Sequence, residues 1–153
     1  MVNKQEANKI KEVVEGLLNH MDLEAEIEIG DPDDDTIPVD LQMEKPKVLI
    51  GKEGRTLAQV QHLLKLMSRD KIEDRFYIDL DINDYKEKKT SYLKEKAREV
   101  ADKVALTKKE KQLPAMPPYE RRVIHMELAD RNDVTTQSVG QDPDRKVTIK
   151  PYE

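Results

Sequence analysis

The spacing of apolar residues over positions 1–84 switches back and forth between helical and strand-like repeats, and this order constrains the fold more than any other feature. Ile10, Val13, Val14, Leu17, Leu18 and Met21 recur three and four apart, which predicts an amphipathic helix from Asn3 to His20. Leu23, Ala25, Ile27 and Ile29 then alternate with Glu24, Glu26 and Glu28, the pattern of a half-buried strand with a charged outer face. The segment 31–35 (Asp31, Pro32 and three further aspartates) is a turn, and Ile37, Val39, Leu41 and Met43 alternate again, so the pair reads as an antiparallel hairpin. A short apolar helix at Pro46–Ile50 ends at Gly51. A second amphipathic helix begins after Gly54, with Leu57, Val60, Leu64 and Met67 as its buried stripe and Leu63 and Leu66 widening it. Phe76, Ile78, Leu80 and Ile82 mark a third strand over Arg75–Ile82.

The remainder has a different character. Leu93, Ala97, Val100 and Val104 form the apolar stripe of a long helix, Tyr85 to Leu106, otherwise crowded with Lys and Arg. Lys111–Ala115 is a short extended segment, and Pro117-Pro118 starts a helix running to about Ala129, proline being tolerated in a first turn. Val134–Val139 and Arg145–Lys150 are strands joined by a turn through Gly140 and Pro143. In the second of them Val147 and Ile149 face one way, and Lys146, Thr148 and Lys150 are expected to extend a basic surface on the other. The fold class is therefore α+β, in two small units.

Charge divides the chain at the same place. Residues 1–85 carry 11 Lys+Arg and 20 Asp+Glu, a balance of −9, and residues 86–153 carry 16 and 12, a balance of +4. The net charge of −5 argues against a general polyanion binder. With no Cys, thiolate catalysis and cysteine-ligated zinc are excluded, and with no Trp and one Phe the cores must be aliphatic and small. No apolar run approaches the ~20 residues of a membrane span, and the charged start of the chain does not read as a signal peptide, so a cytoplasmic location is expected.

Two motifs carry chemistry. In Ile50-Gly-Lys-Glu-Gly-Arg-Thr-Leu57, glycines three apart permit a tight turn that a phosphate can approach, and the following helix aims its free N–H groups at the same place. Lys52 and Arg55 add positive charge and Glu53 subtracts some. Set between an apolar run and an amphipathic helix, in the element order above, this loop resembles that of the type II KH domain over residues 1–84 (αββααβ). The resemblance implies that Gly51, Lys52, Glu53, Gly54 and Arg55 contact the backbone of single-stranded RNA. In the second motif, Arg121 and His125 lie four apart on one helical face, where a guanidinium and an imidazole can act together, with Arg122 beside them. With Arg145 and Lys146 in the terminal hairpin, residues 85–153 resemble the small α+β domain named for its Arg-x-x-x-His signature, which is associated with single-stranded nucleic acid.

A KH domain followed by an Arg-x-x-x-His domain resembles the bacterial Jag (KhpB) family without its N-terminal Jag domain. Such a resemblance implies a single-stranded RNA-binding protein, a post-transcriptional regulator or RNA chaperone acting in cell elongation and division. It further implies a KH-only partner protein, and it leaves a homodimer open. Single-stranded DNA is the alternative ligand, and a protein-interaction adaptor the alternative role, since the acidic face of Glu24, Glu26 and Glu28 repels RNA.

No cofactor or metal is expected. Asp31, Asp33 and Asp35 match the start of a calcium loop, but Thr36 stands where glycine belongs and Gln42 where glutamate belongs. His20, His62 and His125 share no ligand spacing, and no nucleophile–base pair is recognisable, so an enzyme is not expected.

Overall fold

The computed structural model describes residues 1–153, which divide into two compact units, Met1–Lys86 and Glu87–Glu153. Each has its own aliphatic core.

In the first unit, α1 (Lys4–His20) starts from a reciprocal cap. The Asn3 side chain accepts from the Glu6 amide at 2.9 Å, and the Glu6 carboxylate accepts from the Asn3 amide at 3.0 Å. Its buried stripe is Ala7, Ile10, Val14 and Leu18. Strand β1 (Glu26–Ile29) pairs antiparallel with β2 (Thr36–Gln42). Opposite Gly30, Pro38 accepts a hydrogen bond at 2.9 Å but has no N–H to return, so the β1 ladder stops at Ile29 and Val39. Next come α2 (Lys47–Ile50), a single 3-10 turn at Lys52–Gly54, and α3 (Arg55–Met67). These elements form the crossover that brings β3 (Tyr77–Ile82) parallel to β2, giving the sheet order β1-β2-β3. Parallel pairing could not be read from alternation, which reports faces and not directions.

The inner sheet face buries Ile37, Val39, Leu41, Ile78, Leu80 and Ile82 in the core that also holds residues of α1 and α3. The outer face carries carboxylates in register across all three strands, Glu28 opposite Asp40 and Asp40 opposite Asp81. Helix α3 corrects one expectation. Leu57, Val60 and Leu64 are buried, but Met67, Leu63 and Leu66 are exposed, and the next covered position is Ser68. Spacing identifies an apolar stripe without telling how much of it a partner element covers.

The second unit contains α4 (Tyr85–Thr107), whose first two residues belong to the first unit. It buries Leu93, Ala97, Val100, Ala101 and Val104. Strand β4 (Lys111–Gln112), helix α5 (Pro118–Leu128) and strands β5 (Val134–Val139) and β6 (Lys146–Pro151) complete it. The sheet is antiparallel throughout in the order β4-β6-β5, so the last strand is the central one. This corrects the reading of Thr148 as part of an open basic surface. It is 2% exposed, flanked by Gln112 and Gln137, and its hydroxyl has no hydrogen-bond partner. No helix is long and apolar enough to cross a membrane.

Candidate nucleic-acid interface

The loop at the start of α3 owes its shape to three residues with positive φ. Gly51 has φ 69° and ψ −172°, a combination open essentially only to glycine. Glu53 (φ 54°) and Gly54 (φ 77°) are both left-handed. A Cβ at Gly51 would fall 2.0 Å from the Thr56 hydroxyl, and one at Gly54 would fall 3.0 Å from the Tyr85 ring. Gly51 is thus required by packing as well as by backbone conformation, whereas at Gly54 the left-handed backbone is the main constraint and the Tyr85 ring edge would have to yield only slightly. Lys52, Glu53 and Arg55 are exposed, and none has a hydrogen-bond or ion-pair partner. Gly54 leads into α3 without a side-chain cap; the Arg55 amide donates to the Lys52 carbonyl, and no side chain claims the amides that follow. The segment 51–55 thus forms an exposed turn at the start of α3, where Lys52 and Arg55 outweigh Glu53 by one positive charge.

The outer sheet face of the same unit is electrically opposite. Partial burial, followed by the charges of Asp81, Glu28, Asp79 and Asp84, pushes the Asp40 carboxyl above its ordinary range.

The signature residues of the second unit are placed differently from the expected open pair. Arg121 is 7% exposed. Its Nη1 donates to the Met116 carbonyl at 2.8 Å and to Asp142 Oδ1 at 2.6 Å, tying α5 to the segment before it and to the β5–β6 loop. His125 is half-buried between two hydroxyls, with Nδ1 2.7 Å from Thr136 Oγ1 and Nε2 2.7 Å from Ser138 Oγ. Thr136 and Ser138 are two apart on β5, hence on one face. That spacing is the signal in the sequence that could have identified them as partners of the imidazole. Arg145 turns back on its own loop, donating to the Gly140 carbonyl at 2.6 Å. Lys146 sits at the start of β6 opposite Val139. Arg122 points away from this cluster, exposed and unpaired, and shares a groove with Tyr119 and Lys94, which the spacing of the signature does not reveal. No group of His, Asp and Glu in the chain could hold a metal ion.

The environment of His125 favours its neutral form. Burial, then the positive charges of Arg121 and Arg145, lower its pKa below the ordinary value near 6.5. Between the folded value and about 6.5 the unfolded chain takes up a proton that the folded chain refuses, so stability falls as pH drops through that window. We expect His125→Gln to flatten this part of the pH–stability curve in urea titrations, and an unchanged curve would show that the imidazole is not its source.

Residues 91–151 match the family of domains named for the Arg-x-x-x-His signature. Beyond that segment, the chain is 33% identical to RNA-binding protein KhpB of Clostridium symbiosum over 143 residues, covering 93% of this chain and 64% of that protein. It is 39% identical to the protein of the same name from Lactiplantibacillus plantarum over 105 residues, 69% of this chain and 33% of the relative. For the Streptococcus pneumoniae serotype 2 protein the figures are 26% over 146 residues, 95% of this chain and 44% of the relative. The chain spans less than two thirds of the length of each of these relatives. Residues 91–151 are therefore an Arg-x-x-x-His domain, and the chain that carries it is a homologue of the bacterial KhpB proteins.

Proposed function

We propose that the chain binds single-stranded RNA, with a KH-type loop in its first unit and the Arg-x-x-x-His domain as a second contact. The observation that carries this reading is the loop itself. Two glycines bring the backbone close to a ligand, and unpaired Lys52 and Arg55 flank an uncapped helix start, an arrangement suited to a phosphodiester. The element order α1-β1-β2-α2-α3-β3, with the loop between α2 and α3, supports the type II KH reading of residues 1–84. The relatives' name, RNA-binding protein, supports RNA over DNA as the ligand. A regulatory role on messenger or small RNA in cell elongation and division, a KH-only protein partner, self-association and a cytoplasmic location extend this proposal, and rest on the family resemblance alone.

Anisotropy titrations of short unstructured RNA and DNA of matched sequence, over a range of salt, test it. Binding through phosphates weakens as salt rises, with a slope of about 0.7 for each single-strand phosphate contacted. The double variant Lys52→Glu/Arg55→Glu is expected to weaken RNA binding at least tenfold and to lower that slope by about 0.7 for each phosphate no longer neutralised. An affinity and slope equal to those of the unaltered chain would remove the loop from the binding site.

A further inference from the structure

Helix α5 has two faces, and only one belongs to the Arg-x-x-x-His signature. Arg121, Ile124 and Leu128 are buried in the domain, with His125 half-buried against β5. Tyr119, Arg122, Val123 and Met126 follow at three- and four-residue spacing on the other side, where they line a groove with Thr90 and Lys94 of α4. The groove measures about 480 Å³, within the ~300–1,000 Å³ typical of small-ligand sites.

Its composition is specific. Tyr119 and Met126 are 66% and 65% exposed, an unusual outlay of large apolar surface in a chain with so few aromatic residues. Arg122 and Lys94 have no hydrogen-bond or ion-pair partner. The carboxylate on the groove wall, Glu127, accepts from Arg98 Nε at 2.5 Å, so its charge is already compensated. An aromatic ring, a thioether and two uncommitted cations form the combination that stacks a base and holds its phosphate. A protein partner seated on apolar area alone would give no account of the two unpaired cations.

We propose that this groove is a nucleotide-binding subsite of the second unit. A base of single-stranded RNA stacks on Tyr119 against Met126, and the adjoining phosphate lies toward Arg122 and Lys94. The proposal rests on the RNA-binding reading above but assigns its contact to a face of α5 that the Arg-x-x-x-His signature does not include.

The test uses the full chain and a labelled, unstructured uridine-rich RNA. Stacking losses of ~1–3 kcal/mol predict that Tyr119→Ala weakens binding about 5- to 150-fold, with the salt slope unchanged. Tyr119→Phe should retain most of the affinity, because the ring and not the hydroxyl makes the contact. Arg122→Ala should lower the salt slope by about 0.7. Ultraviolet crosslinking of the unaltered chain followed by peptide mass analysis should place an adduct on Tyr119 or Met126. Tyr119 is exposed, so Tyr119→Ala should melt with the unaltered chain. If the unaltered chain binds RNA while Tyr119→Ala binds equally well and no adduct forms on α5, the groove serves something else, such as a protein segment, and the subsite is refuted alone. If the unaltered chain binds no RNA at any salt, the function and the subsite are refuted together.

Discussion

Gly51→Ala is expected to destabilise the first unit by roughly 3 kcal/mol and to abolish whatever the Lys52–Gly54 turn binds. Two costs combine. Backbone torsions of φ 69° and ψ −172° are essentially closed to residues with a Cβ, at about 1–3 kcal/mol. The added methyl would also lie 2.0 Å from the Thr56 hydroxyl and 2.7 Å from its Cβ, so Thr56 and the first turn of α3 must move, and overpacking of this kind costs about 1–3 kcal/mol. The two can be separated. Adding Thr56→Gly removes the colliding side chain and should recover the steric part in urea unfolding, leaving the torsional part. Gly54→Ala is the milder change. Its φ of 77° is an ordinary left-handed value, and its nearest obstacle is the edge of the Tyr85 ring at 3.0 Å. If Gly51→Ala unfolds at the same urea concentration as the unaltered chain, the loop does not hold this geometry in solution.

Arg121→Ala should be nearly as damaging, for a reason the bare signature conceals. The side chain leaves water to bond a backbone carbonyl and a carboxylate, and its removal strands the Met116 oxygen and releases the β5–β6 loop. Hydrogen bonds to charged groups contribute about 1.5–3 kcal/mol, so a loss of about 2 kcal/mol is expected, with faster amide exchange in the Gly140–Arg145 loop. A double-mutant cycle with Asp142→Ala isolates the pair. A coupling of about 1 kcal/mol or more would make Arg121 a tether for the loop, and zero coupling would return it to the role of a free guanidinium. Because Arg121 is committed inside the domain, a drop in RNA binding in Arg121→Ala must be compared with its drop in stability before it is read as a missing RNA contact.

These two residues show what the sequence could and could not disclose. Gly51 was legible not from the glycine spacing alone, which ordinary turns share, but from its place between an apolar run and an amphipathic helix, and the loop lies there. The helices and strands were legible for a related reason, since a repeat of 3.6 or 2 is a local property. Burial of one face against a distant element is not local. Leu63, Leu66 and Met67 satisfy the helical repeat as well as Leu64 does, yet nothing in the first unit covers them. Thr148 alternates as a surface residue should, but its strand is central and the position is closed. Arg121 and His125 were correctly placed on one face of α5. Which partners that face meets depends on the path of β5 and of its loop, and no spacing rule supplies that path.

The carboxylates in register on the outer sheet face have a consequence for how a ligand arrives. Residues 1–85 carry a surplus of nine negative charges, yet at the exposed α3 start unpaired Lys52 and Arg55 outweigh Glu53. This makes the charge of the first unit uneven, with carboxylates gathered on the outer sheet face and a local balance of +1 at the loop. In dilute salt its field reaches about 30 Å, against about 8 Å at physiological ionic strength. Under the proposed function, an approaching polyanion would be repelled by the sheet and would meet least resistance at the loop. On that reading, the unit favours one angle of encounter, most strongly in dilute salt, and offers a bound strand little other surface.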